Sequence, residues 1–67
     1  MKKHFVIYGK HTSMRTFKCM DVNAGTCVGN RIYATVFWNK TVVEMEELLG
    51  KLRAENPDWK FEARVTQ

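Results

Sequence analysis

One stretch of the chain, residues 41–58, carries both the periodicity and the end signals of an α-helix. Thr41 and Glu44 have the spacing of a capping box, in which each side chain accepts a hydrogen bond from the other residue's backbone amide. Pro57 ends the helix, because proline disfavours helical geometry in the residue before it. Five apolar residues share one stripe of this helix: Val42, Met45, Leu48, Leu49 and Leu52. The chain therefore has one helix with one apolar face to bury.

The rest of the chain favours β-strands and the loops between them. β-Branched and aromatic residues and their alternation predict strands at residues 4–9, 14–20, 31–38 and 59–65. Polar stretches with glycine at 9–13 and 21–30 are typical of a hairpin loop and a longer loop. The order β-β-β-α-β predicts an α+β fold, in which an antiparallel sheet of about four strands packs one face against the helix.

Length and composition limit the chain to one core. The chain has 67 residues, of which 45% are hydrophobic and 12% aromatic, which argues against intrinsic disorder. A chain of this size buries only about 60% of the surface that its unfolded form exposes. We therefore expect a single compact α+β domain over residues 1–67, with marginal stability.

A single helix covers one face of such a sheet and leaves the other open. We expect the helix stripe to meet Trp59, Phe61, Ala63 and Val65, with Ile32, Ala34, Val36 and Trp38 beside them. The alternate residues of these strands, Tyr33, Phe37, Lys60, Glu62 and Arg64, would then lie on the open face. The first strand is apolar on both sides between Phe5 and Tyr8, so either side of it could face the helix.

An uncovered aromatic face on a single chain is typical of a contact site. The sequence therefore predicts a protein-binding surface formed by Tyr33, Phe37 and Tyr8, with either another protein or a second copy of the chain as the partner. A dimer formed in this way would also bury aromatic area that the small core leaves exposed.

The charge of the chain is unevenly distributed. Residues 1–40 hold seven basic residues against Asp21, a net charge of +6, whereas residues 41–67 hold four basic and six acidic residues, a net charge of −2. The simplest interpretation is two solvated surfaces of opposite sign. The basic end could also pair with the acidic helix of another copy or of a protein partner. An alternative function is nucleic-acid binding by a basic N-terminal hairpin, with Tyr33 and Phe37 as stacking residues and these cations: Lys2, Lys3, Lys10, Arg15, Lys18 and Arg31.

No pattern in the sequence is typical of catalysis or of a cofactor. His4, His11, Cys19 and Cys27 are residues of metal-binding types, but structural zinc sites use closely spaced pairs. Here seven residues separate the two cysteines and six separate the two histidines. A catalytic cysteine needs an activating base and an oxyanion site, and the sequence marks neither beside Cys19. We therefore predict a non-enzymatic protein without metal or cofactor.

The sequence also bears on location. The apolar run from Phe5 to Tyr8 is shorter than the roughly 7–15 residues of a signal-peptide core or the roughly 20 of a membrane span. Two cysteines are few for a disulfide-stapled secreted protein of this length. We expect a cytoplasmic protein of a bacterium or phage-infected cell, with free thiols and no membrane partner.

Two segments carry a resemblance. Residues 46–62, EELLGKLRAENPDWKFE, and the opening residues 2–8, KKHFVIY, resemble short uncharacterised phage and prophage proteins. In these, a Lys-Lys-aromatic-Val-Ile strand comes first, and a helix then leads through Asn-Pro-Asp into a last strand. The resemblance implies an accessory protein of a mobile element that binds a host or phage macromolecule, and it implies no functional residues.

Overall fold

The computed structural model describes residues 2–66. The elements follow one another as β1 Lys3–His11, β2 Lys18–Asp21, β3 Thr26–Cys27, a 3-10 helix Arg31–Tyr33, β4 Val36–Lys40, α1 Val42–Glu55 and β5 Trp59–Thr66. All strand pairs are antiparallel, and one helix packs on the sheet. The predicted α+β fold is confirmed, with five strands instead of about four.

Strand β1 is the centre of the sheet. Strand β5 pairs with it from His4 to His11 along one edge. The other edge of β1 is shared, because β4 pairs with its first half and β2 with its second half. Strand β3 lies outside β2. The alternation of side chains along β1 therefore determines which residues of its neighbouring strands lie on each face of the sheet.

Both ends of the helix form as their residues predict. The Thr41 hydroxyl accepts a hydrogen bond from the Glu44 amide, and the Glu44 carboxylate accepts one from the Thr41 amide. Asn56 follows the last helical turn, and its backbone amide donates to the Leu52 carbonyl. Val42 was expected in the buried stripe, but it is exposed because it lies in the first turn, one turn before the first buried residue, Met45.

Two of the predicted strands are shorter than expected. The strand expected at 14–20 covers only Lys18–Asp21, and part of the predicted loop at 21–30 pairs with it as β3. The strand expected at 31–38 begins only at Val36. Residues 31–33 form a 3-10 helix instead, because the Asn30 side chain accepts a hydrogen bond from the Ile32 amide and caps the turn.

The core lies between the helix and one face of the sheet. It is built from Phe5, Ile7, Met20, Met45, Leu49 and Phe61. As predicted, Phe61 and Ala63 of β5 face the helix. At Gly9 a larger side chain would meet the sulfur of Met20, so the absence of a Cβ lets Met20 pack directly on β1.

The predicted orientation of β4 is wrong. Phe37 pairs with Phe5 and packs against the core, so it lies on the helix-covered face and not on the open one. Its neighbours Val36 and Trp38 therefore point to the open face. Residues 31–38 are apolar on both sides, so their orientation is set by pairing with β1 and not by their own pattern.

Candidate binding surface on the open sheet face

The face of the sheet opposite the helix is formed by alternate residues of β1, β4 and β5. We call this surface the open face, and its members are His4, Val6, Tyr8, Lys10, Val36, Trp38, Lys60, Glu62 and Arg64. The register of β1 and β5 brings three pairs directly opposite each other: Val6 and Arg64, Tyr8 and Glu62, and Lys10 and Lys60. The surface is therefore a set of aromatic and cationic side chains around Val6, which is itself only 1% exposed.

Tyr8 and Arg64 form the middle of the open face. The guanidinium carbon of Arg64 lies 4.0 Å from the centroid of the Tyr8 ring, a cation–π contact. Arg64 Nε also donates a hydrogen bond of 2.6 Å to Glu62 Oε1. These two contacts hold the guanidinium over the ring, and an exposed ion pair of this kind adds little to stability.

Trp38 and His4 form one end of the open face. Their rings lie edge to face with centroids 4.6 Å apart, and Trp38 is 62% exposed. An irregularity in the pairing of β1 with β4 holds this end, where Asn39 has a positive φ of 53° that asparagine tolerates better than most residues. The Asn39 amide donates a 3.0 Å hydrogen bond to His4 Nδ1. The bulge thus fixes the histidine ring beside an exposed indole.

Lys10 and Lys60 form the other end of the open face. They lie directly opposite each other on adjacent strands, and like charges in this position destabilise a sheet. Within residues 2–66, neither ammonium group lies within salt-bridge distance of a carboxylate. A shallow cleft beside this pair is also lined by His11 and Thr12. The two positive charges therefore face solvent without a protein counterion.

The predicted cationic residues do not form one surface. Lys10 alone of the six lies on the open face. The register places Lys3 and Lys18 on the side of the helix, opposite Lys40 and Gly9. The other three lie outside the strands: Lys2 before β1, Arg15 in the loop after it and Arg31 in the 3-10 helix. The basic N-terminal hairpin is therefore not a single patch.

The partners of Lys10 come from the last strand instead. The alternation of residues 59–65 predicted Lys60 and Arg64 on the open face, but they were not among the predicted cationic residues because residues 41–67 are net negative. The register of β1 against β5 brings them beside Lys10 and Tyr8. Such pairing depends on which strands are neighbours, and sequence alternation does not give that information.

The predicted aromatic residues also separate. Tyr8 lies on the open face, Phe37 lies under the helix, and Tyr33 lies on the 3-10 helix with 67% of its surface exposed. The exposed aromatic residue that sequence reasoning missed is Trp38, which was expected to face the helix. Trp38 was missed because residues 31–38 are apolar on both sides, which also led to the wrong orientation for Phe37.

Groups with catalytic chemistry do not converge in the described part of the chain. Residues 2–66 contain no group of three or more His, Cys, Asp or Glu side chains placed to hold a metal ion. Cys19 and Cys27 are free thiols, and the register of the β2–β3 hairpin points them to opposite sides. Burial raises the pKa of the Cys27 thiol, which disfavours the reactive thiolate.

A cleft between the end of the helix and the β2–β3 hairpin is the other concave feature of note. Its volume is about 240 Å³, and it is lined by Met20, Val22, Gly25, Leu52, Glu55, Asn56, Trp59 and Phe61. Among the polar side chains in this lining, Asn56 donates its side-chain amide to the Leu52 carbonyl. Glu55 is the one carboxylate in this lining, which holds no second acid, base or nucleophile, so the cleft does not present a catalytic constellation.

Comparison with known proteins gives no further assignment: no family model, no curated protein and no solved structure matches this chain. In the part of the chain that the structure describes, no helix has the length and apolar character needed to cross a bilayer.

Proposed function

We propose that the chain is a non-catalytic protein that binds single-stranded nucleic acid on its open face. The observation that carries this proposal is the Lys10–Lys60 pair, in which two positive charges lie opposite each other with no carboxylate of residues 2–66 within salt-bridge distance. A phosphate group bound between them would remove the repulsion. The resemblance to phage proteins agrees with a cytoplasmic role in a bacterium or phage-infected cell.

The arrangement of charge and aromatic groups along β1 favours an extended polymer over a small anion. Trp38 and Lys10 stand at opposite ends of the open face, which at about 3.3 Å per residue spans roughly 20 Å between His4 and Lys10. Proteins that bind single strands combine cations along the backbone with aromatic side chains on which bases stack. The exposed indole of Trp38 supplies the stacking surface, and Lys10, Lys60 and Arg64 supply the cations.

The position of the helix favours single strands over duplexes as the ligand. Duplex readers usually place a helix or a two-stranded ribbon in a groove, whereas the helix here packs on the other side of the sheet. That helix holds Glu44, Glu46, Glu47 and Glu55 against only Lys51 and Arg53. The helix surface itself therefore attracts a polyanion less than the open face does, although Lys3, Lys18 and Lys40 lie on the same side of the sheet as the helix.

Titration of a fluorescein-labelled oligo(dT) or oligo(U) with the protein, followed by anisotropy at several salt concentrations, tests the proposal. We expect affinity to fall steeply with salt, with a slope of about −0.7 per neutralised phosphate. Lys10→Glu together with Lys60→Glu should abolish binding. The matched control is Lys51→Glu, which makes the same type of charge change on the helix and should leave binding nearly intact.

Trp38→Ala separates stacking from charge. It should weaken binding without reducing the salt slope, because an indole neutralises no phosphate. Tryptophan emission should also change when the wild-type protein binds. Binding that is insensitive to salt, or that survives the double lysine variant, would show that the open face is not the site.

A second candidate function is protein binding through the 3-10 helix. Ile32 and Tyr33 are 76% and 67% exposed, and Arg31 stands beside them, a combination enriched in interface hot spots. Thr35 anchors the segment, since its amide donates to the Met20 carbonyl and its hydroxyl accepts from the Val22 amide. Tyr33→Asp should then abolish capture of a protein from host lysate and leave oligonucleotide binding unchanged.

A further inference from the structure

Strand β5 has a free outer edge. In an antiparallel ladder, residues alternately bond to the neighbouring strand or face away from it. The Phe61 carbonyl accepts a 2.9 Å hydrogen bond from Arg53 Nη2, which indicates that it faces away from β1. By the same alternation, the backbone groups of Ala63 and Val65 also face outward, and within residues 2–66 they have no hydrogen-bond partner. An edge of this kind is a template for another strand.

We infer that this edge pairs with β5 of a second copy in a two-fold dimer centred on Ala63. In that register, Glu62 lies opposite Arg64 of the partner subunit, and the symmetry repeats this contact. A centre moved to position 62 or 64 would place Glu62 or Arg64 opposite its own copy. Charge complementarity therefore selects the Ala63-centred register, which pairs residues 60–66 throughout.

The helix carries a second, independent feature on the same side. Glu46, Gly50 and Arg53 share one flank, since they are four and three residues apart. Arg53 reaches the outer edge of β5, so this flank lies towards the proposed partner. A Cβ added at Gly50 would meet nothing within 4 Å in the single chain, so packing within one subunit does not explain a glycine inside the helix.

The position of Gly50 agrees with the proposed axis. Helix α1 and β5 run in opposite directions through the turn that joins them, and Arg53 lies beside Phe61. Gly50 is three residues before Arg53, about 4.5 Å along the helix, which brings it level with residues 62–63 of β5. Two helices crossing there would approach closely at Gly50 and place Glu46 beside Arg53 of the partner subunit.

Arg53 exchanges its contacts when the dimer forms. In the single chain Arg53 donates a hydrogen bond to the Phe61 carbonyl, and its ion-pair contact with Glu46 is long, at 3.9 Å. In the dimer, the amide of Val65 of the partner subunit takes that carbonyl, and Arg53 turns to Glu46 of the partner subunit. Both helices then lie on one side, and the two open faces join on the other. The dimer does not depend on the proposed nucleic-acid binding, although it would lengthen that surface.

The test is the mass of the protein in solution without nucleic acid, measured by sedimentation over a range of concentrations. We expect a concentration-dependent dimer in the wild type. Glu62→Arg alone and Arg64→Glu alone should each weaken the dimer at least tenfold, and the double exchange should restore it. Restoration also excludes a centre at Phe61, where Glu62 would face Lys60 of the partner subunit.

Gly50→Leu tests the dimer with a variant that should not destabilise the single chain. The side chain has open space in one subunit and is a better helix former, so the melting temperature of the monomer should not fall. The dimer should nevertheless weaken, because the helices can no longer approach. A wild type that stays monomeric at all concentrations, or a dimer indifferent to both the charge exchange and Gly50→Leu, would overturn the inference. Because these measurements contain no nucleic acid, they test the dimer independently of the proposed oligonucleotide binding.

Discussion

The two faces of the same sheet are organised by different rules. In the core of the helix-covered face, cross-strand neighbours match in character, as Phe5 does with Phe37 and Ile7 with Ala63. On the open face, Lys10 opposes Lys60, an arrangement that costs stability. Packing explains the core pairs of the first face, but it explains neither Lys3 opposite Lys40 at the end of that face nor Lys10 opposite Lys60 on the open face. The Lys40 charge acts on the Glu44 carboxylate, whereas no carboxylate in residues 2–66 lies within salt-bridge distance of Lys10 or Lys60, so this second pair carries the proposed function.

The largest expected effect tests whether the covered face supplies the stability. Ile7 is fully buried beneath the helix, and Ile7→Ala should lower the free energy of unfolding by about 2–5 kcal/mol, from lost transfer energy and the cavity left behind. Trp38→Ala removes a larger side chain from the open face, yet it should cost only about 0.5 kcal/mol because that residue is exposed. Urea denaturation of both variants measures the difference, and equal losses would contradict the comparison.

The helix must stay folded for one face to be covered. Thr41→Ala removes the hydroxyl that accepts from the Glu44 amide and should cost about 1 kcal/mol. Thr16→Ala is the matched control, since Thr16 lies exposed in the loop between β1 and β2. Thermal unfolding should separate the two variants by several degrees in a chain of this size. A similar melting temperature for both would show that the cap does not stabilise the fold.

The helix and the last strand could be predicted because their signals are local. The cap at Thr41, the end near Pro57 and the alternation of residues 59–65 each lie within a few positions of one another. The orientation of β4 could not be predicted, because residues 31–38 are apolar on both sides. It is decided by the pairing of Phe37 with Phe5, a contact between residues 32 positions apart.

The candidate site was predicted only in part for the same reason. Alternation placed Lys60 and Arg64 on the open face, and hydrophobicity marked Tyr8. What brings these residues together on one surface is the register of β1 against β5, which joins the two ends of the chain. Trp38 reached the open face only through the reversed orientation of β4. Local patterns specify which residues are on a strand, whereas neighbours across the sheet depend on the whole fold.

A smaller effect on stability is expected from the Lys10–Lys60 pair on the open face. Lys60→Glu converts the like-charged pair with Lys10 into an attractive one and should raise the free energy of unfolding by about 0.2–1 kcal/mol. Oligonucleotide affinity should fall in the same variant. Lys51→Glu, the same change on the helix, should not stabilise. The gain should shrink in high salt, and a destabilised Lys60→Glu variant would show that the pair is not repulsive.

The smallest expected effect is a pH dependence at the helix cap. Hydrogen bonds from Thr41, first from its backbone amide and then from its hydroxyl, lower the pKa of Glu44 below its ordinary value of 4.5, and Lys40 and Lys2 add to this. Because the folded pKa of Glu44 is the lower one, the stabilisation is fully present above the ordinary pKa and is lost as pH falls through the folded pKa.

Glu44→Gln tests this dependence, because it keeps the capping geometry without the charge. The difference in free energy of unfolding between wild type and Glu44→Gln should therefore be largest near neutral pH and should vanish in acid. Urea titrations of both proteins across this range measure it, and a difference independent of pH would show that the ionised carboxylate is not the group that stabilises the helix start.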